Sequence, residues 1–180
     1  MPERTQSYAD LIQDVPDFPQ PGVGFKDISP LLRSASAFAD AVAAMVAVSP
    51  PDVDVVLGME ARGFIFGAPI ALALGAGFVP VRKPGKLPRE TVSESYDLEY
   101  GSNTLAVHAD AINSGTRVLV VDDVLATGGT ILATAGLVEQ LGGQLVQTTV
   151  LMELAFLHGR QRLAEHGIDR VAAVLSYGEP

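Results

Sequence analysis

The chain has no cysteine. That excludes a disulfide scaffold, thiolate zinc or iron–sulfur centres and a cysteine nucleophile. Positive charge is also scarce: twelve lysines and arginines stand against twenty-one acids, for a formal charge of −9. A balance of that sign argues against binding nucleic acid or anionic membranes through bulk charge. There is no internal repeat and no low-complexity tract. The segment 1–10 is polar, carries both charges and leads into no apolar run, so no secretory signal is read there. The one long uncharged run, 64–81, is interrupted by Pro69, Gly75, Gly77 and Pro80, which would break a lipid-exposed helix. A buried helix running into a buried strand explains it better. No membrane partner is expected, and the cytoplasm is the expected location.

The 48% apolar and 18% charged fractions fit a folded chain rather than a disordered one. At 180 residues the expectation is one domain, 1–180. Helical spacing is read over Tyr8–Val15, and 17–24 (DFPQPGVG) reads as a fixed loop. Ser36 is the expected N-cap of an alanine-rich helix through Val46. Strands are predicted over Val53–Gly58, Phe78–Val81, Arg117–Val121, Leu145–Leu151 and Val171–Leu175. Helices are predicted over Arg62–Leu74, Gly128–Leu141 and His158–His166. This alternation predicts an α/β fold with a mostly parallel central sheet flanked by helices. Ligands in such folds bind beyond the carboxyl ends of the strands. The segment 82–101 (RKPGKLPRETVSESYDLEYG) breaks the pattern. It reads as a long polar lid loop, followed by a small hairpin of Asp97–Tyr100 and Thr104–His108.

The chemistry concentrates at 118–130, VLVVDDVLATGGT. Four apolar residues lead into Asp122 and Asp123, and Ala126-Thr127-Gly128-Gly129-Thr130 then opens a helix. Glycines let several N–H groups turn toward one centre, and the helix start adds its positive end. With the hydroxyls of Thr127 and Thr130, that bend can hold a phosphate without a lysine. Carboxylates beside a phosphate would repel it, so Asp122 and Asp123 make sense facing hydroxyls or a metal-bound part of the same ligand. A sugar phosphate with free 2′ and 3′ hydroxyls fits. The alternative is an ordinary strand–turn–helix with a solvated acidic turn. No G-x-x-x-x-G-K-[ST] is present.

Other segments complement this one. Glu60-Ala61-Arg62-Gly63 follows a strand, and the planar fork of Arg62 suits a diphosphate. Gly63 would let backbone approach the anion. A surface arginine paired with a carboxylate is the other reading of Arg62. Arg82, Lys83, Lys86 and Arg89 crowd basic charge into 82–89, which asks for an anion unless the loop is merely solvated. His108, His158 and His166 show no metal-ligand spacing.

These thirteen residues resemble the diphosphate-sugar motif of the type I phosphoribosyltransferases. The likeness extends to 22–28 (GVGFKDI), 58–64 (GMEARGF), 82–88 (RKPGKLP) and 95–101 (SYDLEYG), which are similar to the members of that family that act on adenine. The resemblance implies transfer of a 5-phosphoribosyl group from phosphoribosyl pyrophosphate to adenine, giving AMP and diphosphate with Mg²⁺ on the substrate. It implies a cis peptide at Glu60–Ala61, a base-recognition segment near 1–34, and a homodimer. It places adenine on Phe25, with backbone groups of Val23, Phe25 and Lys26 reading its edge. Lys26 stands where many relatives carry arginine. It gives Glu99 a part in proton transfer to or from the base, puts Tyr100 beside the substrate, and sends Lys83 and Lys86 to the diphosphate. Two alternatives stay open: another base (hypoxanthine, guanine or orotate), and a purine-responsive regulator on the same domain. The regulator would need a nucleic-acid surface that this acidic chain does not advertise.

Overall fold

The computed structural model describes residues 7–97 and 102–179. Near the start, β1 (Gln13–Val15) pairs antiparallel with β2 (Phe25–Asp27), and α1 (Ser29–Arg33) and α2 (Ala35–Ala47) follow. Then come β3 (Val55–Met59), α3 (Arg62–Leu74) and β4 (Gly77–Val81), and a hairpin of β5 (Thr91–Asp97) and β6 (Ser102–His108). The rest alternates: β7 (Arg117–Leu125), α4 (Gly129–Gln140), β8 (Gln144–Leu154), α5 (Gly159–Glu165) and β9 (Val171–Tyr177). Five strands form one parallel sheet in the order β4-β3-β7-β8-β9, flanked by helices as expected.

Strand β7 explains why the sheet is covered twice. Val118, Leu119, Val120 and Val121 are all fully buried. A strand turns successive side chains to opposite faces, so Val118 and Val120 join the core under α4 and the hairpin, and Leu119 and Val121 join the core under α1, α2 and α3. Burial of this kind stabilises by roughly 1.5–3 kcal/mol per large apolar side chain. At the far side, Glu153 of β8 is clamped by Arg160 of α5, with Nε 3.0 Å from Oε1, while the same guanidinium donates to the Val171 carbonyl at 2.6 Å.

Four expectations are corrected. Tyr8–Val15 is not a helix: a single 3-10 turn, Tyr8–Leu11, is capped by Ser7 and gives way to β1. Val15 precedes Pro16, which disfavours the helical region, and β2 supplies a partner. The cap of α2 is Ser34, not Ser36; its hydroxyl accepts from the Ala37 N–H at 3.4 Å. β7 runs four residues past Val121 because β8 continues beside it, pairing Asp122 with Val150 and Leu125 with Glu153. The hairpin's first arm is Thr91–Asp97, paired from Thr91↔His108 to Asp97↔Ser102, so much of the expected loop 82–101 is strand.

The sheet's one change of direction sets the site. β3 and β7 are neighbours, but β3 continues through α3 on one face and β7 through α4 on the other. The chain therefore parts at their carboxyl ends and leaves a crevice, the usual ligand position in open α/β sheets. Gly63 keeps the two sides close: a Cβ there would lie 2.9 Å from Asp122 Oδ1 and 3.0 Å from the Val121 carbonyl oxygen. Its smallness serves this contact between helix and strand. Gly63→Ala should cost about 1–3 kcal/mol in urea unfolding; an unchanged midpoint would show that the contact relaxes freely.

Candidate active site

The crevice holds a cavity of about 260 Å³ lined by Glu60, Ala61 and Arg62 after β3, Lys83 after β4, Tyr96 and Leu105 of the hairpin, and residues 122–131. Most of the residues singled out in the sequence therefore meet there: Glu60, Ala61, Arg62, Lys83, Asp122, Asp123, Ala126, Thr127, Gly128, Gly129 and Thr130. The Glu60–Ala61 peptide is cis, at the position the resemblance implied. Glu99 and Tyr100 lie outside the described residues.

Asp122 and Asp123 are held by different partners. Asp122 Oδ1 accepts the Asp123 N–H at 2.9 Å. Asp123, only 3% exposed, has Oδ2 2.9 Å from Arg62 Nε, an ion pair whose angle makes no hydrogen bond. Burial, reinforced by the charge of Asp123, pushes Asp122 well above the ordinary carboxylate value of 3.8. Burial also raises Asp123, against the opposing pull of Arg62. The pair is short of donors, and two ribose hydroxyls would supply them.

The bend after β7 is shaped for an anion. Gly128 adopts φ +82°, which favours glycine. No side chain caps α4, so its first N–H groups are left for a ligand. A second element backs the bend from outside the motif. Gly159, at the start of α5, sits so close that a Cβ would be 2.1 Å from the Ala126 carbonyl oxygen, and a Cβ on Gly128 would meet the Gly159 carbonyl at 3.1 Å. Tyr96 covers the other side, its hydroxyl 3.3 Å from Thr130 Oγ1. Sequence reasoning missed both Gly159 and Tyr96. Gly159 carries no local signal, because its contact is with a residue thirty-three positions earlier.

The base side is assembled by Arg62. Its guanidinium carbon stands 4.9 Å from the centroid of the Phe25 ring, while Nε faces Asp123. Arg62 thus links the aromatic of β2 to the carboxylates of β7: it is an arginine paired with a carboxylate, and it also lines the cavity. Phe18 meets Phe25 edge-on at 5.0 Å. Val23 is in the turn, its N–H donated to the Gln20 carbonyl at 3.2 Å, so that donor is already used. The Lys26 side chain points away, ion-paired with Asp14 and 4.1 Å above the Tyr177 ring.

The loop cations divide into two kinds. Arg82 is bound by Glu60, with Nε 3.2 Å from Oε2, and Arg89 is ion-paired with Asp110. Glu60 also accepts the Lys83 N–H at 3.1 Å, and these donors hold its carboxyl below the ordinary range. Glu60 therefore fixes the start of the loop. Lys83 and Lys86 make no ion pair among the described residues; Lys83 borders the cavity and Lys86 does not.

This geometry, a parallel sheet whose switch point joins a glycine–threonine phosphate bend to paired carboxylates, has its counterpart in known proteins. The family model described as the phosphoribosyl transferase domain matches residues 30–171. The chain belongs to that family. Its similarity runs further, to the members that act on adenine. A curated adenine phosphoribosyltransferase of Cutibacterium acnes is 60% identical over 176 residues, 98% of this chain and 99% of that one. The crystal structure of adenine phosphoribosyltransferase from Thermoanaerobacter pseudethanolicus superposes with a TM-score of 0.90 at 48% identity, covering 94% of this chain and 98% of that one. The Saccharomyces cerevisiae enzyme, solved with D-2,5-dideoxy-2,5-imino-altritol 1,6-bisphosphate and adenine, gives 0.85 at 40% identity over 93% and 98%.

The raised pKa of Asp122 has a stability consequence. Below 3.8 the carboxyl is neutral in folded and unfolded chain alike. As pH rises from there toward the raised value, the unfolded chain ionises first and folding loses free energy. Asp122→Asn removes that penalty. The variant should melt a few degrees higher than the parent at pH 8, with the gain vanishing below about pH 4, while turnover falls by orders of magnitude. A lower Tm at pH 8 would contradict the burial argument.

Proposed function

We propose that the chain transfers the 5-phosphoribosyl group of phosphoribosyl pyrophosphate to adenine, releasing diphosphate and forming AMP. The observation that carries this reading is the anion bend 126–130 standing beside the under-donated carboxylates Asp122 and Asp123, within one cavity next to Phe25. The yeast relative's complex with adenine and a bisphosphate iminosugar supports the choice of base and of a phosphorylated sugar.

The bend at Ala126, Thr127, Gly128, Gly129 and Thr130 grips the 5′-phosphate. Anchoring the remote phosphate fixes the sugar carbon C1′ against the base, so binding energy is used for orientation. Asp122 and Asp123 hold the ribose hydroxyls. As the C1′–O bond to diphosphate stretches, positive charge grows on the sugar and the buried carboxylates favour it. Arg62 and Lys83, with Lys86 brought in by the loop, favour the departing diphosphate. Adenine stacks on Phe25, its edge read by the second lone pair of the Val23 carbonyl and by backbone of Phe25 and Lys26, and its N9 forms the new bond to C1′. Glu99 takes the proton the purine gives up, with Tyr100 next to it. The loop before β5, from Arg82 to Glu90, acts with the hairpin behind it as the lid that keeps water from C1′.

Among the described residues no three histidines, aspartates or glutamates gather as a metal cage. In this reading Mg²⁺ is carried mainly by diphosphate oxygens and water, where it would supply Lewis-acid stabilisation of the leaving group. The whole chain, 1–180, acts as one phosphoribosyltransferase domain with 1–34 serving the base. A homodimer is part of this reading; sedimentation at a single 18.8 kDa mass would contradict it. The cytoplasm is part of this reading, because phosphoribosyl pyrophosphate, AMP and diphosphate are highly charged and do not cross a bilayer.

Incubation with adenine, phosphoribosyl pyrophosphate and Mg²⁺ should yield AMP and diphosphate, with hypoxanthine, guanine and orotate competing poorly. Preference for one of those bases would move the assignment within the family. Glu99→Gln should slow single-turnover chemistry by about 10²-fold or more without weakening substrate binding; an unchanged chemical step would leave Glu99 structural.

A further inference from the structure

We propose that Tyr96 is a positioning residue for the sugar phosphate: its phenol donates a hydrogen bond to Thr130 and so aims the threonine proton at the 5′-phosphate. The inference rests on the reading of 126–130 as the phosphate grip. Tyr96 belongs to β5, yet its ring packs against the bend, where a Cβ on Gly129 would be 2.8 Å from its Cδ2 and 3.2 Å from its Cε2. Its hydroxyl is 3.3 Å from Thr130 Oγ1. Tyr96 lines both the 260 Å³ cavity and a cleft of about 760 Å³ that reaches Arg162 and Arg170. Its place is held from two turns along the same helix. A Cβ on Gly136 would lie 3.1 Å from Glu94 Cγ, and the Gln140 amide donates to the Glu94 carboxylate.

Proton counting gives the bond its direction. A threonine hydroxyl has one proton and two lone pairs. If Thr130 spends its proton on a phosphate oxygen, it can only accept from Tyr96, and the phenol O–H is in place to donate. Such a donor removes the free rotation of the threonine hydroxyl and strengthens its outgoing bond. The reverse direction would use up the Thr130 proton on Tyr96 and deny it to the ligand.

The test compares the parent chain with Tyr96→Phe, Thr130→Val and the double variant. KM is measured for both substrates, and calorimetry is run with AMP and with adenosine, which lacks the phosphate. Tyr96→Phe keeps the ring and should leave Tm, the KM for adenine and adenosine binding unchanged. It should raise the KM for phosphoribosyl pyrophosphate and weaken AMP by about three- to tenfold, the scale of one hydrogen bond. In the Thr130→Val background it should add nothing. The inference is overturned if Tyr96→Phe is silent, tightens AMP, weakens AMP and adenosine equally, or acts undiminished without the threonine hydroxyl. If Thr130→Val weakens AMP while Tyr96→Phe is silent, the phosphate reading survives and only this inference falls. If Thr130→Val leaves AMP binding intact, both fall.

Discussion

Two carboxylates on consecutive residues at the end of a buried strand repel one another, and here Asp123 is almost wholly withdrawn from water. Asp122 and Asp123 bear that cost with few donors: the Asp123 N–H reaches Asp122 Oδ1, and Asp123 Oδ2 faces only a guanidinium at an angle that makes no hydrogen bond. Such an arrangement is stable only because the surrounding sheet is strong, with four fully buried residues immediately before it. A ligand carrying two hydroxyls would relieve it. The anion bend stands three residues further along the same chain, so one segment demands hydroxyls at one end and a phosphate at the other. That pair of demands describes a sugar phosphate and fixes which way round it lies.

The rest of the structure serves this segment. The switch point between β3 and β7 opens the crevice, Gly63 lets α3 close against the strand end, and Gly159 and Tyr96 brace the bend from two sides. Arg62 connects the carboxylates to the Phe25 ring and thereby joins the N-terminal segment to the sheet. Charge is used locally. The chain is acidic overall, but Lys83 borders the cavity, and Arg82 is consumed in holding the loop's root through Glu60.

What the sequence disclosed followed from local chemistry. The end of α3 was legible because a glycine interrupts the uncharged run there: Gly75 takes the left-handed conformation that closes the helix. The 118–130 motif was legible because its glycines, threonines and aspartates have few other uses at that spacing. What stayed hidden depends on distant partners. The extension of β7 through Leu125 needs β8 beside it. β5 was obscured because Glu94 occupies a position facing α4, where an apolar residue would have revealed the alternation. The true role of Gly63 appears only when the Asp122 side chain is seen against it, and Gly159 announces itself only beside Ala126. Ser34 and Ser36 are both competent caps, and the geometry of the α1–α2 join decides between them.

A crystal structure of the chain with AMP tests the central claim most directly. The phosphate should sit within about 3 Å of the backbone N–H groups of 127–130, with the ribose hydroxyls at similar distance from Asp122 and Asp123. A phosphate bound instead in the larger cleft near Arg162 and Arg170, with both aspartates left without a hydroxyl partner, would contradict it.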